Sequence, residues 1–562
     1  EATISSRDER LEHFTSLGVA VSLMCRNPLL EYGPKAFADH KKGLCTYDVE
    51  QVVLAIVVTT GIASIFLTKD FTPDYNSGLA HAIFYALTKY PVIEQRHLHG
   101  EVVGFGVLLA LLVDGQEEEF EKIYQLNREI GLPVSLKEIE ITEDEWKESM
   151  GHIPKMSDVA HYPYKVTREM LEDAMQKLKE RVRKDQRSAA SSMILGVAFV
   201  WFTTHFGGGF ASGAQIYSYY VRYGIWCLLM PVLAMGYNAV FFAYCLRFAR
   251  KHEVYDYRSY NNAFYGKFAP VFSNLFEVLY ICVMCVAPAV AFATGGATLS
   301  TLTGLPYLLC TLIIGIFIFV VAVFGTDLVR KVASVLSVCI IAGLLIVYIP
   351  NIIAGAGQIA DTASRMTANG GSFGKALYSA FIYGTFQLAN VAVFVQHAKS
   401  FEKPDDAVQS MGIGWIINAL MMIMVVLGIM TVCTQPEMSE ASVPTLFMVQ
   451  CGVGKGFMMP LISVLIILGA VSTAVNMVAA MVKRICSDLD KMKKETGTDE
   501  KRKIGTKEIV AAFICCVVDF GIAQFGLLTL IQKAYSVLAY LAIPVILIPY
   551  LIHMAVTRFD TK

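Results

Sequence analysis

The chain has 562 residues, of which 55% are hydrophobic and only 17% are charged. This composition is too apolar for a soluble protein of this length, and it excludes disordered and fibrous classes. Residues 1–187 hold 22 Lys and Arg against 30 Asp and Glu, out of 47 and 48 in the whole chain. An acidic front part therefore precedes a sparsely charged, apolar back part.

The front part shows helical periodicity nearly throughout and no clear alternation typical of strands. Residues 165–184, for example, place one apolar stripe on a helix, formed by Val166, Met170, Ala174, Leu178 and Val182. The sequence therefore predicts an all-α protein. We expect a cytoplasmic helical domain at 1–187 and a membrane domain at 188–562.

Two histidines of the front part stand in recognisable surroundings, S-G-L-A-H ending at His81 and H-L-H-G-E centred on His99. Neutral imidazoles suit zinc or iron, and a catalytic site of this kind needs about three protein ligands. Two histidines alone also suit ordinary core or surface positions. The stretch from Gly78 to Gly106 resembles the C-terminal helical domain of glycerol dehydrogenases in the iron-containing alcohol dehydrogenase family, which has the pattern G-L-A-x-x-H-A and H-G-E-x-V-x-F-G.

This resemblance extends more weakly over residues 1–180, and it implies that His81 and His99 are metal ligands. In the family, zinc or iron holds a substrate oxygen while hydride passes to or from NAD. The family's third ligand, an aspartate, and its NAD-binding domain have no counterpart here, since no Gly-rich nucleotide turn occurs before Ser188. We therefore assign no catalytic residue, and expect NAD to be used only with an upstream or separate NAD-binding domain.

From Ser191 onward, apolar runs of about 20 residues recur, each long enough to cross a hydrocarbon core of about 30 Å. The sequence predicts ten spans, at 190–218, 224–247, 268–297, 303–325, 328–350, 372–398, 405–434, 454–483, 507–525 and 528–556. Lys and Arg are concentrated in one set of alternate loops, whereas the opposite loops, 351–371 and 435–453, hold only Arg365. We therefore expect a multi-pass protein of the inner (plasma) membrane with both termini in the cytoplasm.

The first span contains three consecutive glycines in H-F-G-G-G-F-A-S-G, and the sixth contains Y-G-T-F-Q. Glycines at mid-bilayer disfavour a helix, so we expect breaks whose backbone groups line a buried cavity. Breaks in the first and sixth of ten spans predict a five-plus-five inverted repeat with a solute site between them. The candidate solute-binding residues are Gly208, Gly209, Ser212, Tyr383, Thr385 and Gln387. A close-packed glycine face of the G-x-x-x-G kind is the alternative.

This pattern resembles the leucine-transporter-type fold of the amino acid, polyamine and organocation superfamily, and G-G-G-F-A-S-G resembles the motif of YkvI-type membrane proteins. The resemblance implies a cation site in which Ser472 and Thr473 of span 8 face backbone carbonyls from Gly207 to Phe210, with sodium or a proton as the coupling ion. The alternative is that both hydroxyls bond to carbonyls of their own helix.

Glu277 lies within the third predicted span. An intramembrane carboxylate costs several kcal/mol if it is charged and unpaired, so we expect Glu277 to carry a proton or a coupling cation. Cys282 and Cys285 have the spacing of metal ligands, but they lie in an apolar span without a second pair. The 13 cysteines of the chain do not indicate a disulfide framework.

These features predict a cation-coupled secondary transporter of a small organic solute, for which amino acids are one candidate, fused to a truncated dehydrogenase-like domain. The alternative is a membrane-tethered fragment of an NAD-dependent, metal-dependent polyol or glycerol dehydrogenase. A third reading is a join of neighbouring reading frames whose halves act independently. The expected partners are the lipid bilayer and the solute, and no nucleic acid is expected.

Overall fold

The computed structural model describes residues 1–69, 72–73, 75–324, 326–491 and 506–560. The chain divides into two compact units, Glu1–Ala189 and Ala190–Lys562. Both units are built from helices, which confirms the predicted all-α class. One antiparallel pair of two-residue strands, Thr68–Lys69 and Thr72–Pro73, is also present in the first unit.

The first unit is a helical body with one large apolar core and a small separate cluster formed by Ala2, Ala63 and Leu67. Its α-helices are Ala2–Ser5, His13–His40, Tyr47–Leu54, Thr60–Leu67, Leu79–Leu87, Pro91–Arg96, His99–Val113, Glu117–Ile130, Glu143–Met150 and the start of Arg168–His205, with a π-helical turn at Ala55–Thr59 and 3₁₀ turns at Ile153–Lys155 and Ser157–Val159. The core packs Leu79–Leu87 against His99–Val113. A Cβ at Gly106 would lie 2.7 Å from the carbonyl oxygen of Ala80, so only glycine permits this close approach.

The segment Tyr47–Leu67 departs from the expectation of a water-facing front part. It is 21 residues long, and it is apolar enough to cross a membrane by length and composition. It packs along His13–His40, while most of its side chains are exposed. The excess of acidic residues over residues 1–187 conceals this segment in a composition count.

The second unit contains the apolar helices of the back part. Its α-helices after Arg168–His205 are Gly208–Ala211, Ala214–Tyr219, Met230–Lys251, Tyr257–Tyr265, Ala269–Thr303, Tyr307–Phe324, Thr326–Ala354, Ala356–Ala368, Phe373–Gln387, Val391–Phe394, Asp406–Met430, Pro444–Cys451, Lys455–Lys491, Thr506–Ala523, Leu527–Thr529, Tyr535–Ala542 and Ile548–Thr557. Turns of 3₁₀ type occur at Val221–Leu228, Gly266–Phe268, Leu388–Asn390, Val395–Ser400 and Pro436–Ser439, and π turns at Leu530–Ala534 and Ile543–Leu547.

Within the described residues, eight helices are long and apolar enough to cross a membrane, or nine if the bent pair Val338–Ala354 and Ala356–Ala368 is one span. The chain is therefore a multi-pass membrane protein. One of the eight is Tyr47–Leu67. Three predicted spans are not among the eight: 190–218, whose helix is interrupted, 328–350, which falls in the bent pair, and 507–525, whose helix Thr506–Ala523 holds three charged residues. The ten-span count and the inverted repeat remain predictions.

Candidate functional site

The first predicted span is interrupted where the glycines stand. Helix Arg168–His205 ends just before them, and two short helices, Gly208–Ala211 and Ala214–Tyr219, follow. Gly213 between these short helices has a φ of +78°, in the left-handed region that favours glycine. The chain therefore changes direction inside the second unit instead of continuing as one helix.

The interruption is stabilised by a helix from elsewhere in the same unit. Thr445, near the start of Pro444–Cys451, donates from its hydroxyl to the carbonyl of Ala211 and from its backbone N–H to the carbonyl of Ser212, both at 3.0 Å. The Tyr348 hydroxyl lies 2.7 Å from the same Thr445 oxygen. Backbone acceptors that an unbroken helix would satisfy internally are thus satisfied by a neighbour.

The expected second break takes a milder form. Phe373–Gln387 continues through 3₁₀ turns at Leu388–Asn390 and Val395–Ser400, with the short helix Val391–Phe394 between them. The sixth predicted span is therefore tightened without being unwound, and its Tyr383 and Thr385 remain in regular helix. A tightened turn frees fewer backbone groups than an unwound one.

A cavity of about 80 Å³ lies beside the interruption. Its polar lining comes from Thr204, His205, Gln215, Gln387, Asn390, Thr473 and Tyr535, and Gly207 and Gly209 also border it. Val283, Ala287, Val290, Ala291, Phe386, Met477 and Leu538 complete the wall. The lining has hydrogen-bond donors and acceptors but no carboxylate, Lys or Arg, so it suits a small polar solute without a net charge.

A second pocket, of about 240 Å³, adjoins the first cavity. Its polar lining consists of neutral side chains, namely Thr203, Thr204, Ser472, Thr473 and Asn476. The two spaces share Thr204, Thr473 and Met477 as lining residues. Hydroxyl and amide oxygens are ligands that hard cations accept.

The threonine hydroxyls of this pocket bond to their own helices. Thr473 donates to the Gly469 carbonyl at 3.0 Å, and Thr204 donates to the Val200 carbonyl at 2.7 Å. Thr473 thus shows the alternative to a cation site, in which a hydroxyl bonds to a carbonyl of its own helix. A hydroxyl that donates its proton still has acceptor lone pairs, so this bond leaves the oxygen able to contact a cation.

His205 anchors a buried hydrogen-bonded chain beside the first cavity. Its Nδ1 lies 2.8 Å from Asn418 Oδ1 and its Nε2 lies 2.6 Å from the Tyr383 hydroxyl. The same Tyr383 hydroxyl lies 3.1 Å from Gln215 Oε1, so its single proton is shared between these two acceptors. Because Asn418 Nδ2 donates to the Gly414 carbonyl, its oxygen is the atom left to accept from His205. These hydrogen bonds connect His205, before the interruption, and Gln215, after it, to the helices Asp406–Met430 and Phe373–Gln387.

The structure brings part of the predicted set to these two spaces. Gly207, Gly209 and Gln387 border the first cavity, Ser472 lines the second pocket, and Thr473 borders both. Four other predicted residues are buried behind the lining: Phe210, Ser212, Tyr383 and Thr385. Gly208 begins the helix Gly208–Ala211, and its surroundings lie outside the described part of the structure.

Seven polar lining residues are absent from the predicted set: Thr203, Thr204, His205, Gln215, Asn390, Asn476 and Tyr535. Asn390, Asn476 and Gln215 are uncharged amides inside apolar stretches, which is a signal that the sequence offers. Tyr535 has no such signal, because tyrosine is common throughout the chain, and its contribution depends on how the last predicted span packs.

Glu277 is placed away from both spaces. Its carboxylate forms an ion pair with Arg484 and accepts a hydrogen bond from the Tyr257 hydroxyl at 2.9 Å. It lines neither the cavity nor the pocket. An ion pair of this kind compensates the cost of an intramembrane charge without any bound cation.

In the first unit, His81 on Leu79–Leu87 and His99 at the start of His99–Val113 have ring centroids 5.4 Å apart. A third group, Glu1, reaches this pair: its Oε2 lies 2.6 Å from His81 Nδ1, and its Oε1 accepts from the His81 backbone N–H at 3.0 Å. No sequence pattern indicates the approach of Glu1, because 80 positions separate it from His81.

The charges in this cluster shift its pKa values in different directions. Burial acts to lower the pKa of His81, but the hydrogen bond and charge of Glu1 outweigh it, and the pKa is raised. Burial acts to raise the pKa of Glu1, and His81 reverses that effect, so the pKa of Glu1 is lowered. The pKa of His99 is lowered by burial and by the nearby His81.

Among the described residues, no group of three or more His, Cys, Asp or Glu side chains is arranged to hold a metal ion. His81 and His99 supply two imidazoles, and Glu1 is bonded to His81 Nδ1. Two imidazoles alone do not fit a catalytic metal, which needs about three protein ligands. The described residues of the first unit therefore do not by themselves form a metal centre for hydride transfer.

No protein-family model matches the chain. The chain is similar to the glycerol dehydrogenase of Escherichia coli, with 31% identity over 134 residues, 23% of this chain and 33% of that protein. It thus spans about a third of the length of the first curated relatives it matches. These relatives confirm the predicted resemblance to glycerol dehydrogenases.

Two solved structures are also similar to the chain. One is a probable glycerol dehydrogenase from Sinorhizobium meliloti, with 25% identity and a TM-score of 0.28, covering 33% of this chain and 51% of that one. The other is the manganese transporter of Eremococcus coleocola, with 16% identity and a TM-score of 0.39, covering 64% of this chain and 79% of that one.

Proposed function

We propose that the second unit is a cation-coupled secondary transporter of a small organic solute. The observation that supports this most is the interrupted helix at Gly207–Gly209 beside a polar cavity in an apolar helical unit. Irregular backbone inside a membrane persists only where protein buries it or where it lines a cavity. The break meets both conditions, because Thr445 bonds to its carbonyls and Gly207 and Gly209 border the cavity, and the second condition supports a binding site there.

We expect the solute to be a small molecule with both hydrogen-bond donors and hydrogen-bond acceptors. Gln215, Gln387 and Asn390 offer amide groups, and His205 offers an imidazole edge that is already hydrogen-bonded. A zwitterionic amino acid matches a lining that holds no net charge, because its own charges cancel. Amino acids are therefore the first class to test.

The coupling cation is proposed to occupy the second pocket, near Ser472 and Thr473. Neutral oxygens favour a monovalent ion such as sodium, since a divalent ion usually requires carboxylates to offset its charge. A proton is the other candidate for the coupling ion. Glu277 is proposed to influence coupling through its ion pair with Arg484, because it contacts neither space.

The location proposed for the protein is the inner (plasma) membrane, with both termini in the cytoplasm. The support is the distribution of Lys and Arg among the loops, which is one-sided in the back part of the chain. This orientation would place the first unit in the cytoplasm.

Proteoliposome uptake tests the transport proposal. We expect the full chain to accumulate label from a radiolabelled amino-acid mixture under an inward sodium gradient, a proton gradient or both, relative to empty vesicles. Gly209→Val should abolish this uptake, because a Cβ at that position would already lie 2.6 Å from Gln215 Nε2 beside the cavity. Gly412→Val is the matched control, since nothing lies within 4 Å of a Cβ there. Absence of uptake under every gradient would refute the proposal.

The alternative function is a membrane-tethered polyol dehydrogenase, and the similarity to glycerol dehydrogenases favours it. In that case His81 and His99 would hold zinc or iron together with a third ligand from an upstream segment or a separate chain. The NAD-binding domain would come from the same source. We expect no NAD-dependent glycerol oxidation by this chain with added zinc. Oxidation that His81→Ala abolishes would instead establish the alternative.

A further inference from the structure

The segment Tyr47–Leu67 has an apolar surface that the described residues leave uncovered. No Asp, Glu, Lys or Arg occurs between Gln51 and Thr68. Only Ala55, Ala63 and Leu67 of the segment are buried. The seven large aliphatic side chains that remain exposed are called here the apolar strip: Val53, Leu54, Ile56, Val57, Val58, Ile62 and Ile65.

The exposure of the apolar strip is unusual for a surface helix. Val57 is 69% exposed and Ile65 is 74% exposed. In the same unit, helix Glu117–Ile130 begins with three glutamates and exposes Glu118, as a helix that faces water does. A contiguous apolar surface of this kind marks a contact with a membrane or another protein.

We propose that the apolar strip lies against the hydrocarbon of a lipid bilayer. The segment has 21 residues, about 31 Å of helix at 1.5 Å per residue, so its whole length can rest at the membrane surface. The second unit is itself a multi-pass membrane protein, and covalent connection keeps a bilayer within reach of the first unit. Lys41, which precedes the segment and is exposed, suits an anionic lipid headgroup, whereas Lys42 is paired with Asp39.

The segment lies along the bilayer and does not cross it. Residues that precede the segment contact residues that follow it. Examples are the 2.6 Å hydrogen bond between Glu1 and His81 and the ion pair between Arg7 and Asp114. The helix between these early residues and the segment, His13–His40, stays on the same side, because its Arg26 forms an ion pair with Glu119 of the water-facing helix Glu117–Ile130. A crossing by the segment alone would therefore place the members of each pair on opposite sides of the membrane. The contacts therefore require both ends of the segment to lie on one side.

The side-chain chemistry favours lipid over a protein partner. Seven of the eight large apolar side chains that the segment exposes are Val, Leu or Ile, and Tyr47 at its start is the single aromatic among them, whereas the energetic centres of protein interfaces are rich in Trp, Tyr and Arg. A surface made mainly of aliphatic side chains matches disordered acyl chains, which present no pockets for aromatic or guanidinium anchors. A second copy of the chain on this face is the competing outcome.

Photocrosslinking of the full chain in vesicles of phosphatidylethanolamine and phosphatidylglycerol tests this proposal. A benzophenone amino acid replaces Val57 in one variant and Ile65 in another, both at exposed positions where the added ring disturbs no packing. Glu118, 86% exposed on Glu117–Ile130, is the water-facing control. Ile316, an exposed residue of the apolar helix Tyr307–Phe324, is the lipid-facing control.

We expect mass spectrometry to find lipid adducts at Val57 and Ile65 in yields like that at Ile316, with none at Glu118. A covalent dimer formed through Val57 would overturn the proposal in favour of a second copy. Products confined to the same chain, or no lipid adduct at either position while Ile316 gives one, would also overturn it. Neither result depends on whether the second unit transports a solute.

Discussion

Replacing Thr473 with valine is the sharpest test of the proposed cation pocket. The two side chains have nearly the same shape, so the change removes a hydroxyl with little change in packed volume. Thr473 borders both the cavity and the pocket, and its hydroxyl donates to the Gly469 carbonyl at 3.0 Å. The substitution deletes the oxygen lone pairs that would contact a cation between the two spaces.

The expected effect follows from the energy of a polar contact to a charged group. Such a contact is worth about 1.5–3 kcal/mol, and each 1.4 kcal/mol is a factor of ten in a dissociation constant. We therefore expect Thr473→Val to raise the Kd for sodium about 10- to 150-fold. The uptake of solute at low sodium should fall by a similar factor, while uptake at saturating sodium falls less.

Thr294→Val is the matched control for this experiment. The Thr294 hydroxyl makes the same kind of bond, to the Val290 carbonyl at 2.7 Å, and it is fully buried. Thr294 lines neither space, so its loss should leave sodium binding unchanged. Binding of radiolabelled sodium to the purified full chain measures both variants. An unchanged Kd in Thr473→Val, or an equal rise in Thr294→Val, would refute the assignment of the pocket.

Two further predictions concern buried and titrating groups. Tyr383→Phe should lower the Tm of the second unit, because it leaves His205 Nε2 and Gln215 Oε1 without the hydroxyl, at a cost of about 1–3 kcal/mol. Tyr378→Phe, which removes the bond between an exposed tyrosine and the Tyr540 hydroxyl, should change the Tm much less. A thermal unfolding assay in detergent compares the two. In the first unit, carbethoxylation followed by mass spectrometry should modify His99 at lower pH than His81, because the reagent attacks neutral imidazole and the pKa of His99 is lowered while that of His81 is raised. The reverse order would show that Glu1 does not pair with His81.

The features that the sequence predicts well are those encoded within a few neighbouring residues. The break in the first span follows from Gly207, Gly208 and Gly209, whose conformational freedom disfavours a continuous helix whatever surrounds them. The apolar runs likewise set most of the long helices, because twenty uncharged residues in succession suit only a membrane or a deep core. The sixth span is different, since the one glycine of its Y-G-T-F-Q motif, Gly384, is too weak a signal to decide between unwinding and a 3₁₀ turn.

The features that the sequence leaves open depend on contacts between distant residues. Glu277 is an isolated carboxylate in the sequence, and its pairing with Arg484 emerges only when two helices pack together. Composition is also misleading when it is averaged over a domain. The apolar segment Tyr47–Leu67 lies within a strongly acidic front part, so an overall charge count hides it, whereas a window of about 20 residues finds it.

In the proposed transporter, coupling follows from the wall that the two spaces share. Thr204 and Thr473 line both, so an ion held by these oxygens in the pocket fixes the same side chains that border the cavity. An ion that stabilises this arrangement lowers the cost of ordering the wall when the solute binds, and the solute does the same for the ion. Thermodynamic linkage makes these two effects equal in free energy. Coupling of this kind needs no charged residue in either space, which agrees with the placement of Glu277 away from both.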